Sequence, residues 1–450
     1  MVKSVVEAVL EYAKTQGDKL CLADDEYSVT YSQYAEKIKK TASYLQSLGF
    51  KKYDKAVVEA CQTVDYLALE LALQLVGAIF VPMEHNCAIE KIDELAERVN
   101  AKAVISVNGG SKSENDLTFE ALISGVNESA PLESYTLPKG DEVSEILFST
   151  GTTGKEKGIV LTHANDIALA ENVMYGVGIR SDNVELIPSP LNHSHGLRRY
   201  YANMVMGASV VVLASVLNLM KFFAVIEEYG VTAIDLVPTA LTVILKLSKT
   251  KLGEYRDTLR YIQFGAAPLM DSDKEKICAM LPNTRLYNFY GSTESGCTII
   301  YDFNVENSKK NCIGKPAHNT EILIVDENRK PIESSADNTG LLATKGSMNM
   351  SGYYEDEEET KSVLIDGVVY TNDIAYFDAD GDVILLGRQG AVINTGGKKV
   401  APDEIENAAK QIKGVIDCGC IPVDDEMLGQ VPKLFVQTRS KEKFDPVFIR

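Results

Sequence analysis

The chain has 450 residues, of which 45% are hydrophobic and 24% charged, a composition typical of globular proteins and a length too great for a single core. Its 64 acidic residues outnumber 45 lysines and arginines, and the net charge of −19 argues against a general nucleic-acid binder, which needs a basic face. Eight cysteines without zinc-site spacing and five histidines without an HExxH motif argue against a zinc enzyme.

Residues 1–14 have apolar residues at helical spacing interrupted by acidic ones, which predicts an amphipathic helix and no signal peptide. The longest apolar stretch, residues 207–220, is too short and too polar for a membrane span. With no secretory signal, the cysteines are expected to be reduced core thiols, and the expected compartment is the cytoplasm.

Helical and strand patterns alternate along the first third of the chain. They predict helices at 31–48, 64–76 and 89–99, and strands at 55–60, 78–81 (closed by Pro82) and 103–107. Such alternation is typical of βαβ units with a parallel, helix-covered sheet. Residues 108–140 are polar and poorly periodic and are predicted to be a connection. Further on, 231–238 and 259–264 are predicted strands with a helix between them.

A strand end followed by a loop rich in glycine and hydroxyl groups lies at residues 146–158, ILFSTGTTGKEKG. Glycines let successive backbone N–H groups point inward, hydroxyls add donors, and a lysine adds positive charge, so the loop suits phosphate. It is not a Walker A loop, because Lys155 is followed by Glu156 and not by serine or threonine. The lysine expected to act is Lys157.

Two histidines and two arginines cluster just after PLNH, in the run PLNHSHGLRR at residues 190–199. His195, Arg198 and Arg199 either recognise an acidic substrate or solvate the start of a helix. For the arginines the second interpretation is the one favoured here.

Two glycine-containing motifs follow the predicted strands of the middle region: GAAP at 265–268 and YNFYGSTES at 287–295. Beyond them, residues 322–377 have short strand patterns separated by turns, which predicts a small antiparallel barrel or sheet. The acidic run at 355–359 is predicted to be a solvated helix start. The last motifs are YTND at 370–373, GR at 387–388 and NTGGKKVAP at 394–402.

Taken in order, these motifs resemble those of the adenylate-forming superfamily of acyl-CoA synthetases, luciferases and peptide-synthetase adenylation domains. The resemblance implies an α/β fold: a large N-terminal domain at 1–387, with helix-covered, mostly parallel sheets plus a small β-barrel-like part, a hinge at 388–390, and a small α+β C-terminal domain at 391–450. Family members usually end in a Gly-Lys motif whose lysine positions the substrates. Residues 391–450 lack it, so either this domain is truncated or the chain works without that lysine, and adenylation is expected to be weakened in both cases.

The resemblance also implies site residues. Catalytic roles fall to Lys157, His193, Thr293 and Glu294, and Glu294 is the expected Mg²⁺ ligand. Nucleotide and coenzyme A binding falls to Ser149, Thr150, Gly151, Thr152, Thr153, Gly154, Gly265, Ala266, Ala267, Asn288, Phe289, Tyr290, Gly291, Ser292, Asp373, Arg388, Gly396, Gly397 and Lys398.

The resemblance also implies individual roles, which the chemistry of these side chains suits. Tyr290 would stack on adenine and Asn288 would meet its edge. Thr293 would donate to the α-phosphate, and Asp373 would accept from both ribose hydroxyls. Arg388 would reach the ribose or the α-phosphate. Lys398 and its neighbour Lys399 either meet coenzyme A phosphates or are exposed loop lysines.

The function that the resemblance implies is ATP-dependent activation of a carboxylic acid to an acyl-adenylate, with release of pyrophosphate, and transfer of the acyl group to coenzyme A. The alternatives are an adenylation domain that loads a carrier protein, and a non-catalytic nucleotide-binding relative. No aspartate stands at His193 to hold an ammonium group, which argues against an α-amino acid. The acid itself and the oligomeric state are left open.

Overall fold

The computed structural model describes residues 2–113, 115–150, 156–305, 309–395, 398–412, 414–425 and 427–438. The α-helices of these residues are α1 (Val5–Thr15), α2 (Tyr31–Ser47), α3 (Val64–Val76), α4 (Ile89–Arg98), α5 (Phe119–Glu128), α6 (His163–Val177), α7 (Ser194–Met206), α8 (Leu219–Glu228), α9 (Pro238–Ser248), α10 (Asp271–Met280), α11 (Glu357–Val363) and α12 (Pro402–Lys410).

The strands are β1 (Leu20–Ala23), β2 (Ser28–Thr30), β3 (Lys55–Glu59), β4 (Ile79–Met83), β5 (Ala103–Ser106), β6 (Asp116–Thr118), β7 (Val143–Thr150), β8 (Glu156–Thr162), β9 (Val184–Ile187), β10 (Ser209–Val212), β11 (Ala233–Leu236), β12 (Tyr261–Phe264), β13 (Arg285–Ser292), β14 (Gly296–Asp302), β15 (Cys312–Pro316), β16 (Glu321–Val325), β17 (Gly340–Lys345), β18 (Gly352–Tyr353), β19 (Leu364–Ile365), β20 (Val368–Phe377), β21 (Val383–Arg388), β22 (Ile393–Thr395), β23 (Lys398–Val400), β24 (Val415–Asp425) and β25 (Gly429–Thr438).

One sheet has the strand order β18-β8-β7-β4-β3-β5-β6, and its strands from β7 to β6 run parallel. This confirms the parallel, helix-linked arrangement predicted from the alternating pattern. Helix α3 is buried along nearly all its length and begins at Thr63, whose side chain accepts from the Tyr66 N–H. It ends at Gly77, which has a φ of +76°, a conformation that glycine adopts without strain.

The largest sheet joins a parallel half, β13-β12-β11-β9-β10-β1, to an antiparallel half made of β14, β15, β21, β20, β17 and β16. The short strands predicted for 322–377 therefore continue the parallel sheet through β13 and β14. The main core includes buried residues of α1, α2, α3 and α7 together with residues of both sheets. Because the carboxyl ends of parallel strands share one edge, the residues after β9, β11 and β12 and the end of β13 come together there.

Two local predictions were wrong. Pro82 lies inside β4 and does not close it, which is possible because β4 pairs with β7 only at Phe80 and Glu145, before the proline is reached. The supposed connection at 108–140 contains β6 and α5. Helix α5 is capped by Thr118 and buries Phe119, Leu122 and Val126, a helical spacing that the polar surroundings obscured.

The C-terminal residues form a sheet of order β23-β22-β25-β24 packed with α12. Gly390, the predicted hinge residue, has a φ of +86°, which favours glycine over any side-chain-bearing residue. No helix among the described residues is both long and apolar enough to cross a membrane. All eight cysteines are free thiols, and Cys21, Cys297, Cys312 and Cys420 are buried.

Candidate functional site

The predicted phosphate loop joins two antiparallel strands, β7 and β8. Ser149 is paired with Lys157, and Thr150 with Glu156, so the two strands form a hairpin. Residues 151–155 lie outside the described residues, and with them the predicted Gly151, Thr152, Thr153 and Gly154. The hairpin is extended on its outer side by β18, which pairs with β8 at Val160 and Ile159.

Lys157 lies in a cluster of acidic and aromatic side chains. Its ammonium forms an ion pair with Glu359, and its nitrogen lies 5.1 Å from the centroid of the Tyr353 ring. The Tyr353 hydroxyl donates to Glu294 Oε1 at 2.9 Å. Burial, together with the Glu294 and Glu359 carboxylates, raises the pKa of Tyr353, so this hydroxyl stays protonated and donates at neutral pH.

Tyr353 and Glu359 therefore belong to the candidate site, and neither was predicted from the sequence. The acidic run does begin a helix as predicted, and Glu357 is exposed. Glu359 departs from the prediction, because its side chain is turned toward Lys157 and only 35% exposed. The available signal was the spacing: Glu359 follows Glu357 by two residues and so lies on a different face of the helix.

A second cluster connects β13 with β20 and β21. The Tyr290 hydroxyl donates to Asp373 Oδ2 at 2.5 Å, and Arg388 Nε lies 3.7 Å from Asp373 Oδ1. Asp373 and Arg388 face each other in neighbouring strands, so the sheet register itself brings them together. Burial and the adjacent Asp373 raise the pKa of Tyr290, which keeps its hydroxyl a donor.

Asn288, on the same strand, presents an unused acceptor. Its side-chain oxygen is buried and has no hydrogen-bond partner among the described residues. A buried amide oxygen without a partner costs free energy, so it marks a position where a ligand donor would be favourable.

The two clusters are joined by the turn between β13 and β14. Gly291 approaches its partner strand so closely that a Cβ there would lie 1.6 Å from the Gly296 carbonyl oxygen. The tight turn carries Ser292, which is exposed, and the half-buried Thr293 and Glu294. Tyr290 and Glu294, which are four residues apart in the sequence, therefore lie on one rigid hairpin.

His193 precedes α7 and its side chain is exposed. His195 is largely buried, with Nε2 2.9 Å from Asp235 Oδ1, and its ring packs against Gly265. Burial alone would raise the pKa of Asp235, but His195 and Arg199 hold it below its usual value. The neighbouring Ala266 has a φ of +68°.

Arg198 and Arg199 do not solvate a helix start, so the favoured interpretation was wrong. Each is 2% exposed. Arg198 pairs with Glu145 and Asp166, and Arg199 pairs with Asp235 while its guanidinium lies 4.0 Å from the centroid of the Phe289 ring. The arginines compensate buried carboxylates supplied by other elements, a partnership that their local sequence does not reveal.

Replacing Gly265 by alanine should destabilise the protein by about 1–3 kcal/mol, the usual cost of overpacking. The added methyl group would lie 2.6 Å from His195 Cε1, so the ring would have to move away from Asp235. Urea unfolding of Gly265→Ala, His195→Ala and the double variant would measure the coupling. Gly419→Ala is the control, since a Cβ there meets nothing within 4 Å. If the destabilising effects of Gly265→Ala and His195→Ala simply added up in the double variant, the coupling between Gly265 and the His195 ring would be contradicted.

The C-terminal motif is not joined to these clusters by any contact between described residues. Gly396 and Gly397 lie outside the described residues, and Lys398 is placed by its backbone at the start of β23. Its neighbour Lys399 donates to Thr339 Oγ1 at 2.5 Å.

The family model described as AMP-binding enzyme matches residues 9–354. Curated relatives named 2-succinylbenzoate–CoA ligase include one from Bacillus cereus and one from Bacillus mycoides. Each is 27% identical to this chain over 432 residues, covering 93% of the chain and 85% of the relative.

Solved structures of the same fold include ATP-bound MatB from Rhodopseudomonas palustris, with a TM-score of 0.88 and 21% identity. That match covers 100% of this chain and 91% of the MatB chain. The o-succinylbenzoate CoA synthetase of Bacillus subtilis, in complex with its acyl-adenylate intermediate, has a TM-score of 0.84 and 21% identity. That match covers 96% of this chain and 88% of the Bacillus subtilis chain.

Proposed function

The chain belongs to the AMP-binding enzyme family, and from that premise we propose that it is an AMP-forming acid–thiol ligase. The observation that carries the proposal is the arrangement around one rigid hairpin. Tyr353 connects the predicted phosphate-binding Lys157 to Glu294, and Tyr290 connects the same hairpin to Asp373. These contacts support a site in which Lys157 would meet the phosphates, Glu294 a metal ion and Asp373 the ribose.

In the proposed reaction a carboxylate oxygen of the acid attacks the α-phosphorus of ATP. A new O–P bond forms while the bond from the α-phosphorus to the pyrophosphate oxygen breaks. The thiol of coenzyme A then attacks the acyl carbon, AMP leaves, and the thiol proton passes to solvent. The substrate carboxylate is already a nucleophile, so the protein contributes positioning and charge stabilisation.

The described residues fit ATP. Asn288 offers its unused oxygen to the exocyclic amine of adenine, and Asp373 offers carboxylate oxygens to the ribose. Lys157 neutralises the phosphates beyond the α-phosphate. Thr293 donates to the α-phosphate from the hairpin turn, and Arg388 lies at the ribose end beside Asp373.

Glu294 also fits Mg²⁺, which is commonly held by one or two carboxylates together with substrate phosphates. A bound Mg²⁺ would spread the negative charge that develops on the phosphates during the displacement. The contribution of the chain is to hold the Glu294 carboxylate in place: Tyr353 donates to its side chain, and the Met350 N–H donates to its backbone carbonyl at 2.8 Å.

The acid is proposed to bind beside His193, past the carboxyl ends of β9 and β12. The relatives' names make 2-succinylbenzoate the first acid to test, and free coenzyme A the proposed acceptor. The scattered, unpaired cysteines support the cytoplasm as the proposed compartment.

The proposal is tested by acid-dependent exchange of labelled pyrophosphate into ATP, with a panel of aromatic, aliphatic and dicarboxylic acids. Exchange that depends on one class of acid, followed by coenzyme A-dependent AMP release, is the expected result. Exchange without any response to coenzyme A would instead favour a carrier-protein acceptor. The absence of exchange with every acid would overturn the adenylation step.

Asp373→Asn should weaken ATP binding about 10- to 100-fold, the effect of losing a charged hydrogen-bond acceptor. Asparagine keeps the size of the side chain and an oxygen for Tyr290, so the fold should be retained. The wild-type protein should prefer ATP to its 2′-deoxy and 3′-deoxy analogues, and the variant should lose that preference. Calorimetric titration measures both effects, with the exposed Asp337→Asn as control. An unchanged preference would refute the role of Asp373.

A further inference from the structure

Lys157 is already paired with a carboxylate of its own chain. Its ammonium contacts Glu359, and the pair is half-buried, with 21% and 35% of the two side chains exposed. Under the proposed function, ATP phosphates must reach the same ammonium. We propose that Glu359 is a positioning residue that holds Lys157 while the site is empty and competes with the phosphates of ATP for it.

The backbone beneath Glu359 is firmly fixed, which makes the contact a feature of the fold. Asp356 caps α11 by accepting from the Glu359 N–H at 3.0 Å. Thr360 accepts from the Tyr353 N–H at 2.8 Å and donates to the Asp356 carbonyl at 2.7 Å. Helix α11 is therefore tied to the same tyrosine that contacts Lys157 and Glu294.

The charges around Lys157 favour competition over a shared contact. Glu359 pairs with the ammonium directly, and Glu294 accepts from Tyr353, whose ring lies beside the ammonium. A phosphate arriving at the ammonium would lie beside the Glu359 carboxylate, and two neighbouring anions repel each other. Because the side chain is partly exposed, Glu359 can turn into solvent when phosphate arrives, without melting α11.

The pair also explains how a lysine is kept in a useful rotamer before the nucleotide binds. A free lysine side chain samples many rotamers, and ordering it costs conformational entropy. The ion pair with Glu359 orders the Lys157 side chain before ATP binds, but the same ion pair lowers the affinity for ATP. Removing its charge is therefore expected to strengthen ATP binding while leaving the chemical step in place.

The test compares Glu359→Gln with Glu357→Gln. Both remove one negative charge from the same helix, but Glu357 is exposed and pairs with Lys361, not Lys157. Glu359→Gln should lower the Kd and the KM for ATP about two- to fivefold, the range for a partly exposed ion pair, with kcat changed less than twofold. Glu357→Gln should change none of these, and Glu359→Asp should restore part of the wild-type behaviour.

The variants Lys157→Ala and Lys157→Ala/Glu359→Gln complete the cycle. If Glu359 acts through Lys157, the double variant should bind ATP like the single Lys157→Ala variant. Weaker or unchanged binding by Glu359→Gln, an equal gain in Glu357→Gln, or a gain that persists without Lys157 would each overturn the inference. A wild-type protein that binds no ATP would overturn the proposed function as well, whereas binding that needs Lys157 but ignores Glu359 would overturn only the inference. Circular dichroism and thermal midpoints establish that each variant is folded.

Discussion

Replacing Arg198 by methionine should destabilise the protein by about 3–5 kcal/mol at pH 8, the cost of removing one partner of a buried ion pair. Arg198 is 2% exposed and compensates two buried carboxylates, Glu145 and Asp166. Methionine fills much of the same volume, so the loss is one of charge more than of packing. Urea unfolding at pH 8 measures the difference, with the exposed Arg180→Met as the matched control.

The same variant should recover part of its stability in acid. Burial, followed by the repulsion from Glu145, raises the pKa of Asp166 to about 8, although Arg198 and Ser144 oppose the shift. A carboxyl whose folded pKa lies above its unfolded value near 4 contributes stability at low pH and loses it as the pH rises toward 8. Without Arg198 this pKa rises further, so the deficit of Arg198→Met should be about 1 kcal/mol smaller at pH 5 than at pH 9, where the wild-type carboxyl is ionised and that of the variant is still protonated. Equal deficits at the two pH values would contradict this account.

Lys157→Ala should lower kcat/KM for acid-dependent pyrophosphate exchange by about 100-fold or more, the usual cost of a preorganised charge at the reacting centre. The fold should tolerate the change, because the Glu359 carboxylate, left without its ion-pair partner, is partly exposed and can rotate toward solvent. A thermal midpoint close to that of the wild type would establish this.

The control for Lys157→Ala is Lys361→Ala, which removes an exposed ammonium from helix α11. Lys361→Ala should keep the wild-type rate of acid-dependent pyrophosphate exchange. An activity of Lys157→Ala within about fivefold of the wild type would show that the phosphates are held elsewhere, and the proposed role of Lys157 would be withdrawn.

Local patterns predicted the elements whose partners are near in sequence. Helix α3 has the predicted bounds, because a capping threonine and a left-handed glycine enclose a continuous apolar run. The end of β7 before the glycine-rich loop was predicted from its short apolar run, whereas its hairpin partner β8 was not. Helix α5 was missed because its three buried apolar residues lie among polar ones.

Partnerships across the fold could not be predicted in this way. Arg198 on helix α7 pairs with Glu145 on strand β7, and Lys157 pairs with Glu359, which is 202 residues away in the chain. An arginine or a glutamate has the same local pattern whether it faces water or a buried opposite charge. The roles predicted for Lys157, Glu294 and Asp373 remain predictions, and the structure adds Tyr353 as the side chain that connects the first two.

The pairing of β18 with β8 also has a consequence for how the protein is made. A ribosome adding 5–20 residues per second needs about 10–40 s to proceed from Lys157 to Glu359. Throughout that time β8 is an edge strand, and Lys157 has neither the Tyr353 ring nor the Glu359 carboxylate beside it. The nascent chain can therefore build most of its parallel sheets early, while the proposed nucleotide site is completed only after the Tyr353 segment has left the exit tunnel.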